Sequence, residues 1–127
     1  MLPPEVKTGI ALINQGAYFE AHEVLEEAWR ATSAPIRDLY QGLLQAAVVA
    51  YHIQRQNWRG AFKVYLRAMR HLEPWPPTVQ GIPVEQVRDQ LRALARRLQR
   101  ILQGEAPDPW PQPLLHIPLS DAAETSP

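Results

Sequence analysis

The stretch YFEAHEVLEEAWR, residues 18–30, decides the fold of this 127-residue chain, because its pattern is echoed 40 residues further on. The echo pairs Tyr18 with Trp58, Ala21 with Ala61, Leu25 with Tyr65, Ala28 with Ala68, and Arg30 with Arg70. Small residues on either side of a large one let two helices approach closely, as in the second helix of a tetratricopeptide-like hairpin. The echo therefore predicts two helical hairpins of the same design.

Around the echo, apolar residues recur every three to four positions, and this periodicity predicts five helices. They cover about residues 4–14, 18–31, 35–56, 58–73 and 83–103. Gly16 and Gly104 are placed to end the first and fifth helices. Ser33 and Asn57 are placed to cap the third and fourth. The predicted fold class is all-α: a five-helix array of two stacked tetratricopeptide-like hairpins plus a capping helix.

The C-terminal tail, residues 105–127, has too many prolines for a helix. It is nevertheless too apolar for a free linker, because it holds Trp110, Leu114, Leu115, Ile117 and Leu119. We expect an all-helical domain over residues 1–104 and an extended, Pro-rich tail that docks on it over residues 107–119. The last few residues are expected to be disordered.

Composition excludes several classes of protein. The chain has no cysteine, so it has neither a disulfide framework nor a thiolate metal site. Its beginning lacks the basic and apolar regions of a signal peptide. The longest apolar run, residues 46–51, is far shorter than the ~20 residues that cross a bilayer. These features predict a cytoplasmic protein without a membrane segment, and the bias towards arginine and proline fits a heat-adapted source.

Charge is unevenly distributed although the net formal charge is zero. Residues 1–30 hold two basic and five acidic side chains, whereas residues 53–100 hold ten basic and three acidic ones. The arginines of the fifth helix oppose its apolar stripe and are expected to form a solvated face: Arg88, Arg92, Arg96, Arg97 and Arg100. A phosphate-binding strip is the alternative. No groove-reading motif is present, so the sequence favours a protein partner over nucleic acid.

Two positions break the echo. His22 falls opposite Phe62, and Glu26 falls opposite Leu66, both at the edge of the apolar face beside Trp29. The second hairpin is therefore expected to use core residues where the first has a histidine and a carboxylate one turn apart. Such a pair can share a proton or a metal ion. It lacks the second helix histidine of the zinc-protease motif, so no metal site is assigned.

The third helix carries a polar stripe of its own. Gln41, Gln45 and His52 fall within about 40° of one another on a helical wheel. If the stripe faces the second helix, these three join His22 and Glu26 in one polar cluster. Three interpretations stay open: a wet helix face, a buried structural network, or a functional pocket with a metal or proton-transfer role.

Aromatic residues and the remaining histidines give further expectations. The four tryptophans are expected to be core or tail-docking anchors. Phe19 lies on the polar side of the second helix near Glu23 and Arg30, where it is expected either to pack on the first helix or, with Arg30, to mark a partner surface. His71 is expected to be exposed.

The stretch NQGAYFEAHEVLEEAWR, residues 14–30, resembles the signature of a prokaryotic family known as domain of unknown function 309. Residues 40–48 with Tyr51 and His52 fit its second block, and residues 57–61 and 67–72 fit its third. The resemblance spans about residues 8–73. It implies an all-α fold and no established activity. It also implies interest in the residues that lie in its blocks: His22, Glu23, Glu26, Trp29, Gln41, Gln45 and His52.

The leading functional hypothesis is a module that binds a protein or peptide, without catalysis and without a cofactor; a homodimer is left open. One alternative is a small metal-binding protein or hydrolase-type enzyme, with His22, Glu26 and His52 as candidate catalytic residues. The other alternative is nucleic-acid binding through the Arg-rich fifth helix.

Overall fold

A computed structural model describes residues 2–120, and within them the chain forms five helices. They are α1 (Pro4–Asn14), α2 (Tyr18–Ala31), α3 (Arg37–Gln54), α4 (Trp58–Leu72) and α5 (Val84–Leu102). The only strand-like pairing among the described residues is an isolated bridge between Val79 and Ile82. The predicted all-α fold is confirmed. The expected disorder at the end of the tail concerns residues 121–127, which lie outside the described residues.

The helices pack in chain order, so that α1 contacts α2, α2 contacts α3, α3 contacts α4, and α4 contacts α5. The pairs α1/α2 and α3/α4 are the two predicted hairpins. The α2/α3 contact stacks one hairpin on the other, and α5 covers the second. None of the helices within residues 2–120 combines the length and the apolar character that a bilayer crossing requires.

Small residues set the distances between the helices. The four alanines of the echo, Ala21, Ala28, Ala61 and Ala68, are all buried. Gly42 lies in the central helix α3, and a Cβ placed there would stand 2.7 Å from Cδ2 of Leu72. Because real Cβ atoms do not come that close, a larger residue at position 42 would displace the Leu72 side chain or separate α3 from α4 at this point. Close packing of α3 on both sides explains why its interior is almost wholly apolar.

The helix ends follow the predicted signals with one exception. Gly16 has a φ of +79°, a conformation that suits glycine and ends α1. The Asn57 side chain accepts a hydrogen bond from the Gly60 backbone N–H at 3.1 Å and caps α4. The expected Ser33 cap of α3 is wrong: the N-cap is Ile36, without a side-chain hydrogen bond. A tight turn over residues 34–38 separates Ser33 from the first helical residue.

The described part of the tail is tied to the helices by apolar and polar contacts. Leu114, Leu115 and Ile117 are buried. The Asn14 amide donates to the Ile117 carbonyl at 2.9 Å and accepts from the Ile117 N–H at 2.7 Å. The Trp110 ring stacks on Trp58, with 6.0 Å between the ring centroids. The tail thus connects the end of α1 with the second hairpin.

The arginines of α5 are mostly engaged within the protein. Arg88 is only 8% exposed and donates to the Leu72 and Trp75 carbonyls at 2.8 and 3.0 Å. The expectation that it belongs to a solvated face is therefore wrong, because its guanidinium is drawn in to the Leu72 carbonyl at the end of α4 and the Trp75 carbonyl just beyond it. The other engaged arginines are Arg92, which pairs with Glu73 and Asp89, Arg97, which lies over Trp110, and Arg100, which pairs with Glu105.

Candidate functional site

The pairs that break the echo are His22 with Phe62 and Glu26 with Leu66. They do not place a polar site in the first hairpin where the second has two core residues. Leu66 is 46% exposed and Phe62 is half-buried. The expectation that the second hairpin uses both as core residues is therefore wrong for Leu66, whereas Phe62 packs against the core from its edge. Both lie at the edge of the apolar face of α4, where α5 does not fully cover it. The equivalent edge of α2 carries His22 and Glu26, and in each hairpin the first of the two positions, His22 or Phe62, lines a cleft.

The first cleft lies between α2 and α3 and has a volume of about 150 Å³. It is lined by Phe19, His22, Val48, Tyr51 and His52. The rings form a continuous row: the centroid distances are 5.7 Å from His22 to Phe19, 5.3 Å from Phe19 to Tyr51, and 6.2 Å from Tyr51 to His52. Phe19 is 45% exposed, as expected from its place on the polar side of α2.

His22 and Glu26 form the predicted pair, but the carboxylate is shared. The distance from His22 Nε2 to Glu26 Oε2 is 3.5 Å. Arg30, one turn further on, donates to Glu26 Oε1 at 2.7 Å. Among residues 2–120, no group of three or more His, Cys, Asp or Glu side chains converges as a metal site would require. The described residues therefore supply two candidate ligands, one of which is already bound to an arginine.

The predicted five-residue polar cluster does not form. The structure brings His22 and His52 to the first cleft but turns Gln45 towards α4. There Gln45 Oε1 accepts from Nδ1 of His71 at 2.9 Å. His71 also reaches the Arg67 carbonyl at 3.0 Å, so it is half-buried rather than exposed as expected.

Gln41 and Trp29 do not line the first cleft. They lie nearer the beginning of α3. The guanidinium of Arg37 stands 4.4 Å from the centroid of the Trp29 ring. Arg37 Nε and, one turn later, Gln41 Oε1 are buried without a hydrogen-bond partner among the described residues. Glu23 is exposed on α2. The candidate residues thus divide between the first cleft, the Gln45–His71 contact and the Trp29–Arg37 contact.

His52 has a defined hydrogen-bonding partner. Because Asn57 Oδ1 accepts from the Gly60 N–H, the Asn57 amide group points its Nδ2 at Nδ1 of His52, 3.2 Å away. Nδ1 is then the acceptor, and the proton of the neutral ring is on Nε2. Burial lowers the pKa of His52 below its ordinary value. Burial in the first cleft therefore favours the neutral form of the His52 imidazole.

The sequence did not identify Tyr51, Val48 or Arg55 as parts of the site. Tyr51 belongs to a largely apolar stretch of α3, but its ring is half-exposed and the Arg55 guanidinium stands 5.6 Å from its centroid. The available signal was the spacing of Val48, Tyr51, His52 and Arg55, which places them on one side of α3.

A second cleft lies between α4 and α5, with a volume of about 210 Å³. It is lined by Phe62, Tyr65, Arg92, Ala95, Arg96 and Gln99. Phe62 and Tyr65 are the echo partners of His22 and Leu25. The two clefts are thus related by the repeat, although their linings differ.

Comparison with known proteins places the first hairpin in context. Residues 6–64 match the model of a family described as Domain of unknown function (DUF309). The resemblance to DUF309 is confirmed. The DUF309 match covers α1 to α3 and the first half of α4, and it includes every residue of the first cleft. The capping helix α5 and the tail are outside it.

Two relatives of this chain are likewise described as uncharacterized. "Uncharacterized protein YpuF" of Bacillus subtilis (strain 168) is 36% identical over 69 residues, which are 54% of this chain and 40% of that protein. An "Uncharacterized protein" of Aquifex aeolicus (strain VF5) is 29% identical over 76 residues, 59% of this chain and 23% of that protein. The matched segments span less than half the length of either relative, and neither description states an activity.

Proposed function

We propose that this chain is a protein- or peptide-binding module without catalysis of its own, and that the first cleft receives an apolar side chain of its partner. The observation that carries the proposal is the exposure of Phe19, which is 45% accessible although it packs against Tyr51 and His22. An aromatic side chain held in place by other rings but open on one face is typical of a binding hot spot.

The size of the first cleft favours a side chain over a cofactor. Small-molecule sites usually measure about 300–1,000 Å³, whereas the first cleft measures about 150 Å³. That volume suits one aliphatic or aromatic side chain. The engaged carboxylate of Glu26 and the missing third ligand within residues 2–120 also favour binding over metal chemistry.

The charge around the first cleft indicates which residues of the partner flank its apolar side chain. Glu20, Glu23 and Glu27 are exposed on α2. They make the α2 side of the first cleft acidic, which attracts basic groups and repels acidic ones, whereas Arg55 lies beside Tyr51 on the α3 side. The preferred partner segment therefore carries an apolar side chain next to lysine or arginine.

Selection from a display library of short random peptides tests the proposal. We expect enrichment of peptides with an apolar residue adjacent to a basic one. An enriched peptide should bind the Phe19→Asp variant at least about 30-fold more weakly, since a hot-spot aromatic contributes about 2 kcal/mol or more. Leu66→Asp is the matched control, because Leu66 is equally exposed but lies on α4.

Three outcomes would contradict the proposal: no enrichment, equal binding by Phe19→Asp and wild type, or equal weakening by Phe19→Asp and Leu66→Asp. A Glu23→Lys variant sharpens the result. It should lose affinity for basic peptides while keeping affinity for a version of the peptide in which the basic residue is neutral.

A further inference from the structure

The exposed side of α4 is strongly basic. It carries Arg59, Lys63, Arg67 and Arg70, all exposed, and Trp58–Leu72 contains no aspartate or glutamate. We call these four residues the α4 basic face. Arg59, Lys63 and Arg67 follow one another at intervals of four residues, so they lie on one side of α4 about 6 Å apart along its axis.

The charges of the α4 basic face are not neutralised by the described protein. Within residues 2–120, the arginines that form ion pairs are Arg30, Arg92 and Arg100, and none of them belongs to α4. None of the four residues of the α4 basic face is within ion-pair distance of a carboxylate in this part of the chain. A row of uncompensated cations attracts a polyanion and raises its rate of association.

One aromatic ring borders the α4 basic face, because Phe62 is three residues from Arg59 and therefore its neighbour on the helix surface, whereas Tyr65 lies further round the helix. Phe62 and Tyr65 are half-buried on α4, with 5.7 Å between their ring centroids, and both line the second cleft. Arg96 lies on the opposite wall, is exposed and makes no ion pair among the described residues. Leu66, next to Tyr65, adds exposed apolar surface.

We propose that the α4 basic face and the second cleft together bind single-stranded nucleic acid. Bases stack on Phe62 and Tyr65 in the second cleft, while phosphates contact Arg59 and Lys63 along its α4 edge and Arg96 on its opposite wall. This combination of a cationic track and aromatic platforms is the usual solution for binding a single strand without sequence preference. The spacing of the cations is similar to that of successive phosphates in an extended strand.

The aromatic pair argues against the other polyanions. In a duplex the base faces are already stacked, so Phe62 and Tyr65 would gain little from it. An acidic peptide offers carboxylates but no planar ring for every charge. The α5 strip that the sequence suggested is a poorer candidate, because Arg88 is buried and Arg92 and Arg97 are held by other groups of the protein.

Fluorescence anisotropy with a labelled oligothymidylate of about 15 nucleotides tests this proposal. We expect binding at low salt, with a log–log salt dependence of slope about −2, as for roughly three phosphate contacts on a single strand. Lys63→Glu should weaken binding and make the slope shallower by about one. Lys7→Glu is the matched control: it makes the same charge change at an exposed site on α1.

Phe62→Ala tests the stacking and should lower affinity by roughly 5- to 100-fold at constant salt. Phe19→Ala removes an aromatic side chain from the first cleft and should leave affinity unchanged. Lys63 and Lys7 are both exposed, so their comparison decides the matter even if Phe62→Ala fails to fold.

The proposal is overturned if the oligothymidylate does not bind, or if Lys63→Glu and Lys7→Glu weaken binding equally. It is also overturned if a duplex of the same length binds as tightly, or if a polyglutamate peptide competes equally well per charge. The last result would indicate an acidic protein partner for the α4 basic face. None of these outcomes bears on peptide binding at the first cleft, because that test uses a different ligand and Phe19.

Discussion

The two clefts occupy equivalent places in the repeat but offer opposite chemistry. In the first cleft, α2 presents Phe19 and His22, and four glutamates lie along the helix against one arginine. In the second cleft, α4 presents Phe62 and Tyr65, and four basic residues lie along the helix without any acidic one. The difference shows that the repeat preserves where a side chain is held, while the identity of that side chain has diverged.

Packing explains which positions diverge. Ala21 and Ala61, and likewise Ala28 and Ala68, are identical because a larger side chain at these buried positions would separate the helices. His22 and Phe62 stand at the helix edge, where a change of size or charge disturbs few neighbours. The edges of a helical array are therefore where its surfaces acquire different ligands.

The ends of α2 and α4 give the prediction with the largest effect. The Ala28 carbonyl near the end of α2 accepts from Thr32 Oγ1 at 2.7 Å, whereas Arg88 from another helix donates to the Leu72 carbonyl at the end of α4 and to the Trp75 carbonyl just beyond it. Arg88→Met should lower the free energy of unfolding by about 2 kcal/mol, because two hydrogen bonds from a charged donor are lost. Thr32→Val should cost about 1 kcal/mol. Urea denaturation measures both.

Arg96→Met is the control for Arg88→Met, because Arg96 is exposed on the same helix. It should change stability by no more than about 0.5 kcal/mol. If Arg88→Met and Arg96→Met lowered the free energy of unfolding equally, the Leu72 and Trp75 carbonyls would be satisfied without the Arg88 guanidinium.

The beginnings of α2 and α4 give the next prediction. Ala17 and Asn57 are echo positions with nearly the same backbone, φ −87° and ψ 67° against φ −91° and ψ 78°. Only Asn57 caps its helix with a side chain. Asn57→Ala should therefore cost about 1 kcal/mol, and Ala17→Asn should stabilise the protein by roughly 0.5–1 kcal/mol. Thermal and urea unfolding of both variants test this, and a destabilising Ala17→Asn would refute the equivalence of the two caps.

The pH dependence of the free energy of unfolding gives the smallest expected difference between the two clefts. The first cleft contains His52, whose pKa is lowered by burial, whereas the residues that line the second cleft include no histidine. Below a pH of about 6.5 the unfolded chain binds a proton at His52 more readily than the folded chain does. The contribution of His52 is therefore complete above that pH and is lost as the pH falls towards the lower pKa of the folded state.

Protonation also removes the acceptor for the Asn57 amide. Measuring unfolding free energy from pH 5 to 8 should show a shallower acid loss in His52→Gln than in the wild type. Identical slopes would show that His52 titrates alike in the folded and unfolded chains.

The fold was largely predictable, because periodic apolar residues and the glycine and proline signals act locally. Gly16 and Asn57 do what their residue types predict. Ser33 does not, since the tight turn after it, rather than its hydroxyl, leads into α3. Local preference identified the helix but not which of several adjacent residues begins it.

The candidate site was predictable only in part, because a helical wheel gives a direction but not a neighbour. The central helix α3 packs on both α2 and α4, so one polar stripe divides between them: His52 lies in the first cleft and Gln45 binds His71 on α4. The exposure of Leu66 was missed for a related reason. How much of α4 is covered by α5 depends on how the two helices pack, and the pattern of α4 alone does not contain it.

The Asn14–Ile117 contact has a consequence for the order of folding. It joins residues 103 positions apart, whereas a stacked array usually needs only contacts between neighbours. During synthesis α1 and α2 emerge early and can pair at once, but Asn14 must wait for the tail before its amide is satisfied. The contact thus forms late. It links the first helix of the array to the tail that follows the last one, so that fraying of α1 is opposed by the docked tail and fraying of the tail is opposed by α1.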